Sequence, residues 1–505
     1  MKNFKKSNWL FAGLVLLAAA VRLVAIQDRS IQYDDAFSII LSSQSFSEII
    51  AGTAADTMPP LYYFLLHLWM GLGASIWFYR LLSLFFSLGT LVFIYLIASR
   101  ISNKNAANWA CLLFAISPIH YYHSQDLRMY AMLTFFVAAY NYFCIIIFEN
   151  NVSKRRQIFR YFFLTIFGAF AFYSHNLAGF LLLIPDAYLI LRKKFKSLVG
   201  LAVSQFISFL LFLPWLAFVP GQISKIQTAF WTPKPGLAEI LQVLIMFTAN
   251  LPLPGVLLPV GMILAALIFA SITLWVIKTR KNNSEYLYPL VMFLYPPAIL
   301  FFVSYVMRPV FVPRGFLISS VGFYLLAGIF LANIFTKKIT SDQVLPVPKI
   351  SGLVVLIGFI FSSVIGLYSQ FTYMGFPRSP FKSAMMVIAN SAQPGDCVIH
   401  DNKLSYFPSV IYQQDLPQKF LPDDPGGSND TFAYNSQVAM KTFPEQNIES
   451  ALVGCDKLYF VVFNLAIEEY GLSGSNEHPI IQWLDSNRNF DKKTLFNDLW
   501  VYEYH

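Results

Sequence analysis

GFLISSVGFYLLAGIFLANIF, residues 315–335, runs without an acid or a base and carries only a few hydroxyls among its apolar side chains. A helix needs about 20 such residues to cross about 30 Å of hydrocarbon. Outward from it, similar stretches lie at roughly 9–26, 76–99, 107–122, 129–148, 159–174, 177–191, 198–219, 253–277, 287–307 and 350–369. Composition points the same way. Of 505 residues, 56% are apolar, 17% aromatic and only 12% charged, and mean hydropathy is +0.56. A soluble interior has no room for that much apolar surface, and a disordered chain has the opposite bias. The expectation is a polytopic α-helical membrane protein with about eleven transmembrane helices. The segment 238–250 reads as an interfacial or half-inserted helix, since Asn250 and two prolines follow it.

The net charge of +9 does not point to nucleic acid. Residues 1–370 hold 27 basic and 11 acidic side chains and residues 371–505 hold 9 and 16. The basic excess therefore belongs to short loops between apolar spans, and no basic stripe with interleaved aromatics occurs. Lys2, Lys5 and Lys6 precede the first span. Every second loop after it is basic: Arg100 and Lys104; Lys154, Arg155, Arg156 and Arg160; Arg192, Lys193, Lys194 and Lys196; Lys278, Arg280 and Lys281; Lys337, Lys338 and Lys349. By the positive-inside rule that side is cytoplasmic. Residues 1–26 read as a retained anchor, with a cleaved signal peptide as the alternative.

From about 371 the composition becomes that of a soluble domain, which an odd number of spans places outside the cell membrane. Two strand-like runs, 395–400 and 457–463, alternate with helical stretches at about 381–392, 403–414 and 478–486, and a Pro425-Gly426-Gly427 loop interrupts them. The expected organisation is a transmembrane domain over 1–370 and an extracytoplasmic α/β domain over 371–505. Cys397 and Cys455, each at or beside a predicted strand, are expected to be bridged there, with two buried thiols as the alternative.

Topology makes the few acids informative. Asp28, Asp34, Asp35, Glu48, Asp56, Asp126 and Glu239 face outward, five of them in the first outer loop. Asp28, Glu48 and Asp56 read as ordinary loop charge. Asp34-Asp35 stands before the apolar run Ala36-Phe37-Ser38-Ile39-Ile40, read as an extended stretch, where adjacent carboxylates are costly unless something uses them. Asp126 and Arg128 close the second outer loop, Tyr121-Tyr122-His123-Ser124-Gln125-Asp126-Leu127-Arg128-Met129-Tyr130. They suit either an interfacial ion pair or a site. Met58-Pro59-Pro60-Leu61-Tyr62-Tyr63 ends the first outer loop, Ser174-His175-Asn176 ends another span, and His67 reads as a core histidine. Arg308-Pro309-Val310-Phe311-Val312-Pro313-Arg314 puts two arginines on the side that should be poor in base. Snorkelling explains them, and so does an anionic partner suited to guanidinium forks.

Together these residues resemble the GT-C glycosyltransferases, the multispan group that includes protein O-mannosyltransferases and the lipid A aminoarabinose transferase. Tyr33-Asp34-Asp35-Ala36-Phe37-Ser38 is similar to the Asp-Glu motif of the group's first outer loop. The Pro59–Tyr63, Ser124–Tyr130 and Arg308–Arg314 segments recur in the same order in bacterial members. The resemblance covers roughly residues 1–330. Asp35 stands where Glu is usual, and Met58 where His or Lys often precedes the prolines.

The resemblance implies an integral-membrane inverting transferase, hexosyl or pentosyl. It would move a sugar from a polyprenyl-phosphate donor to a hydroxyl on a lipid, glycan or protein acceptor. Nucleotide sugars stay in the cytoplasm, so an outward-facing enzyme needs such a donor. Because its leaving group is already a stable phosphate anion, one carboxylate base suffices, whereas a glycosidase needs a second, protonated carboxyl. The implied catalytic residues are Asp34 as base, Asp35 in support and Asp126 orienting the acceptor. Arg308, Arg314 and Arg128 would bind donor phosphate, and Tyr62, Gln125, Tyr130 and His175 would bind substrate. No resident cofactor is expected, and a divalent metal at the outer carboxylates stays open. Membrane lipids are the surroundings, and a bacterial plasma membrane is the expected location. The rival reading is a transporter or flippase, or a receptor for a lipid-linked glycan. A transporter predicts mid-membrane charges and repeated halves. Arg22 and Asp186 are the clearest charges within spans, both close to a span end, and no halves repeat.

Overall fold

The computed structural model describes residues 2–149, 152–228, 232–279, 285–336, 347–376, 378–423, 431–472 and 478–505. Arg280, Lys281, Lys337, Lys338 and the Pro425-Gly426-Gly427 loop lie outside the described residues. Packing divides the chain into two units, Met1–Ile26 with Thr57–Phe371, and Gln27–Asp56 with Thr372–His505. Composition alone assigns 27–56 to the transmembrane part, whereas in the structure this loop groups with the tail.

In the first unit, seven helices among the described residues are long and apolar enough to cross a membrane. They are Ile76–Ile101, Tyr130–Ile147, Phe195–Leu216, Leu258–Thr279, Leu287–Val306, Ile318–Phe335 and Lys349–Thr372. Shorter or more polar helices fill the remaining expected spans: Lys2–Leu23, Lys104–Ala115, Lys154–Ser174 and Ile184–Leu191. Two stretches read as single spans are broken. Proline 118 has no N–H and drives the residue before it out of the helical region. Accordingly Ser117 is extended, and 107–122 divides into Lys104–Ala115 and Pro118–Ser124. The stretch 177–191 divides into Ala178–Leu181 and Ile184–Leu191, with Pro185 in the first turn of the second. Most of the segment 238–250 falls in the helix Leu237–Met246, whose Glu239 carboxylate accepts the Gly236 N–H at 2.6 Å.

The stretch 315–335 lies at the centre of its unit. Val321, Phe323, Tyr324, Leu325, Ala327 and Phe330 are fully buried. A Cβ on Gly328 would meet Ala106 O at 2.6 Å and Ala110 N at 2.7 Å, so only glycine lets this helix lie on the backbone of Lys104–Ala115. Such close approach at small residues is how helices pack where lipid supplies no hydrophobic drive. Phe195–Leu216 and Leu258–Thr279 instead leave Phe206, Leu210, Ile263 and Leu274 exposed, as a lipid-facing surface requires.

The second unit is built on a mixed five-stranded sheet, β1 (Cys397–His400), β2 (Gln418–Phe420), β3 (Leu458–Phe463), β4 (Phe490–Phe496) and β5 (Leu499–Tyr504), in the order β2-β1-β3-β5-β4. β1 is parallel to β2 and β3, while β5 is antiparallel to β3 and β4. β3 is buried along its whole length, as its unbroken Leu-Tyr-Phe-Val-Val-Phe run demands. The helices Phe381–Ser391, Lys403–Tyr412 and Pro479–Asn487 fall where the sequence places them. Cys397 and Cys455 are disulfide-bonded, Cα–Cα 5.5 Å, tying the start of β1 to the approach to β3.

The loop 27–56 forms two helices, Tyr33–Ser42 and Phe46–Ala55. Asp34-Asp35 therefore opens a helix, which corrects the extended stretch read from the sequence. Its apolar side packs on the tail: the Tyr33 and Phe37 rings lie 5.3 and 6.4 Å from Phe407, and Ile31 N–H donates to the Tyr412 hydroxyl at 2.7 Å. Glu48 closes a capping box with Ser45 and pairs with Lys441 at 3.0 Å, the ordinary loop role read for it.

His400 is fully buried at the end of β1, its ring nitrogens on Ser405 Oγ (3.2 Å) and Gln418 Oε1 (3.1 Å). Burial pulls its pKa down to about 3, against a partial upward pull from the Gln418 hydrogen bond. Between that value and the unfolded value of about 6.5 the unfolded chain binds the proton and the folded one does not. This contribution to stability is thus complete above pH 6.5 and falls with pH, by about 2 kcal/mol at pH 5. Hydrogen exchange of 397–420 in the full-length protein, corrected for the intrinsic rate, should lose protection below pH 6.5. His400→Gln should flatten that dependence.

Candidate active site

The loop 121–130 is fixed by what a broken helix leaves behind. Where Lys104–Ala115 stops, its last carbonyls lose their partners. Arg22 supplies them: NH1 donates to Ala115 O at 2.9 Å, NH2 to Phe114 O at 3.1 Å, and Nε to Ser87 Oγ at 2.9 Å. The Gln125 amide donates in return to Arg22 O (2.9 Å) and Val24 O (2.8 Å), closing the end of the first helix. Ser83 Oγ donates to Asp126 O at 2.6 Å and meets the Tyr62 hydroxyl at 3.1 Å. Gln125 and Tyr62, read as substrate-binding, are completely buried and joined to this scaffold.

On that frame the side chains of Asp126 and Arg128 are held and almost wholly buried. Asp126 Oδ2 lies 3.0 Å from His123 Nδ1, and Arg128 NH1 donates to the Tyr63 hydroxyl at 3.2 Å. Tyr130 is the centre of the next group. Its ring lies 5.3 Å from that of His123 and 6.0 Å from that of His175, and Arg314 Cζ sits 5.5 Å from its centroid. Arg314 is delivered by the short turn Pro313–Phe316. At the other end of the same loop, the Arg308 backbone N–H donates to Gln227 Oε1 at 3.2 Å, and Val310 N–H to Ser304 Oγ at 3.0 Å.

His175 is the electrostatic reporter of the group. Burial first, then the Arg128 and Arg314 cations, pull its pKa down to about 3, so it is neutral at physiological pH. Arg128 with Tyr130, His175 and Arg314, from three places far apart in sequence, therefore converge. Two guanidiniums beside a neutral imidazole suit a multi-oxygen anion. Asp34 and Asp35 belong to the other unit, in the first turn of Tyr33–Ser42, where the helix dipole favours carboxylates. Asp35 is buried and Asp34 half-buried, about 100° apart around the helix. Among the described residues no three His, Cys, Asp or Glu side chains gather as a metal site would require.

Sequence reasoning missed Tyr63, Ser83 and His123. His123 stands three residues before Asp126, a spacing that brings side chains together on one turn. The partnership of Tyr63 with Arg128 has no local signal.

Residues 57–218 match the family described as dolichyl-phosphate-mannose-protein mannosyltransferase. Over nearly its whole length the chain superposes on ArnT from Cupriavidus metallidurans in the apo state, with TM-score 0.65 at 13% identity, covering 99% of this chain and 98% of that one. The fold is that of ArnT. The same protein bound to undecaprenyl phosphate gives TM-score 0.64 at 13% identity, with 98% of each chain covered. The archaeal oligosaccharyltransferase AglB from Archaeoglobus fulgidus, in complex with an inhibitory peptide and a dolichol-phosphate, gives 0.56 at 11% identity, covering 99% of this chain and 74% of that one. Among curated proteins none matches. The resemblance read from the motifs agrees with the family match over 57–218 and with the ArnT-like fold.

Replacing Arg22 by Met should leave the Ala115 carbonyl buried without a donor and Phe114 O with the Ser117 N–H at 3.3 Å. The loss, for one orphaned buried carbonyl, is about 1–3 kcal/mol. It should appear as a lower melting temperature of the detergent-solubilised protein, with Arg22→Lys intermediate.

Proposed function

We propose that the chain is an inverting glycosyltransferase that moves a sugar from a polyprenyl-phosphate donor to an acceptor hydroxyl on the extracytoplasmic side. The observation that carries this reading is the convergence of Arg128, Arg314 and neutral His175 around Tyr130. In the proposed topology the seven long helices and four shorter or broken spans make eleven crossings. Basic loops then lie in the cytoplasm, and the Arg308–Arg314 loop and the Gln27–Asp56 and Thr372–His505 unit lie outside. The Cys397–Cys455 disulfide supports that side, since exported domains permit such bonds. A bacterial plasma membrane fits this arrangement. ArnT is known bound to undecaprenyl phosphate and AglB in complex with a dolichol-phosphate, which supports the donor class.

In this mechanism the acceptor oxygen attacks the anomeric carbon from the face opposite the phosphate, and Asp34 takes its proton. The anomeric C–O bond breaks, and its electrons leave on the phosphate oxygen. Arg128 and Arg314 stabilise the charge that develops there, with Arg308 adding to the field. No proton has to reach the leaving group. Asp126, held by His123, orients the acceptor, and Tyr130 supplies a face for a sugar ring. Asp35 supports the loop helix that presents Asp34.

Charges within the spans favour an enzyme over a transporter. Arg22 serves helix-end carbonyls, and Asp186 accepts the Gln205 amide at 2.6 Å. Both have structural partners, where a translocation path calls for groups that exchange theirs.

The test compares Asp34→Asn with Asp35→Asn in one preparation. Asp34→Asn keeps size and hydrogen bonding but loses basicity, so folding and donor binding should survive while turnover falls about 10²–10⁴-fold. Collapse of Asp35→Asn with near-normal Asp34→Asn would move the base one residue along. Normal turnover in both would remove this pair from the mechanism.

A further inference from the structure

We propose that His175 presents a neutral Nε2–H donor to the lipid-linked phosphate, a third donor beside the guanidiniums of Arg128 and Arg314. The inference rests on the donor reading above and gives one side chain a defined protonation state and atom.

The backbone settles the tautomer. Leu177 N–H lies 3.1 Å from His175 Nδ1. A peptide N–H only donates, so Nδ1 must hold a lone pair there, and the ring hydrogen of a neutral imidazole is then on Nε2. Protonating Nδ1 would break this bond and set two N–H groups against each other. The Pro313–Phe316 turn is pressed against the same segment, since a Cβ on Gly315 would come within 2.6 Å of Leu177 Cδ1. The backbone that fixes the His175 tautomer therefore also packs against the turn that carries Arg314.

The surroundings agree. The groups facing the ring are the Arg128 and Arg314 cations and the Tyr130 phenol, with the His123–Asp126 pair beyond Tyr130. An imidazolium would be a third cation in a buried cluster, whereas a neutral ring adds a donor without adding repulsion. The choice has a chemical consequence. A neutral imidazole does not release its Nε2 proton near pH 7, so His175 can hold a phosphate oxygen and cannot protonate it. The leaving group departs as an anion, as a mechanism with one carboxylate base requires.

The competing explanation is local: the ring merely accepts the Leu177 N–H at the turn before Ala178–Leu181. Two substitutions separate the roles. His175→Asn keeps an acceptor that reaches Leu177 N–H, as in an Asx turn, and loses the Nε2–H. His175→Gln carries an amide N–H out to about the Nε2 position and gives up the local acceptor. Affinity for undecaprenyl phosphate is measured on the full-length protein in nanodiscs, beside the ligand-free melting temperature. His175→Asn should melt like wild type and bind about 10–100-fold more weakly, the usual range for losing a hydrogen bond to a charged group. His175→Gln should recover most of the affinity. Equal affinity in wild type and His175→Asn would overturn the assignment while leaving the donor reading intact. Failure of the wild type to bind would overturn both. Should His175→Asn not fold, His175→Gln decides alone: retained affinity supports the donor role, and lost affinity in a folded protein refutes it.

Discussion

A helix that ends inside a membrane protein has no water to take up its last carbonyls, and much here follows from how one such end is met. The Arg22 guanidinium bonds the carbonyls of Phe114 and Ala115 where Pro118 interrupts the chain, and Gln125 bonds back to the carbonyls of Arg22 and Val24. A charge that costs several kcal/mol to bury is tolerated because it is surrounded by acceptors. The result is a loop in which Asp126 and Arg128 are buried and held by hydrogen bonds. A catalytic or binding group must be held to a fraction of an ångström, and side chains anchored on helices do this better than those on free loops.

The spans could be read from the sequence because their signal is local and strong. Apolar runs of membrane length have few other uses, and proline at 118 and 185 marks where two runs break. The candidate site residues stand out for the complementary reason: Asp34-Asp35, Asp126, Arg128 and Arg314 are ionisable groups in a chain that has few. Their partners were not. Tyr63 meets Arg128, and Ser83 meets Asp126 O, across long separations in sequence that no periodicity encodes. Gln125 and Tyr62 look like site residues by position and are completely buried and hydrogen-bonded in the structure, because burial depends on which helix lies behind them. The neutrality of His175 likewise depends on burial first and then on Arg128 and on Arg314, far along the chain.

The loop 27–56 shows a different failure. Tyr33–Ser42 mixes aromatic and β-branched residues, so propensity does not separate helix from strand, and only packing of Tyr33 and Phe37 on Phe407 makes its helical stripe apparent. The β4–β5 hairpin was missed although Asn497-Asp498 is a two-residue turn signal and Asn497 adopts φ 55° as such turns require. The charged Phe490–Phe496 strand, mostly exposed, hid the alternation.

These elements assemble into a chemical account with few requirements: a lipid-borne phosphate held by guanidiniums, a carboxylate to take one proton, and a leaving group that departs as an anion. The most direct measurement is mass spectrometry of the purified protein in nanodiscs incubated with polyprenyl-phosphate sugars and candidate acceptors. The account predicts a glycosylated acceptor of inverted anomeric configuration and one polyprenyl phosphate released for each sugar transferred. Movement of the intact lipid-linked sugar across the bilayer with no glycosidic bond cleaved would contradict it.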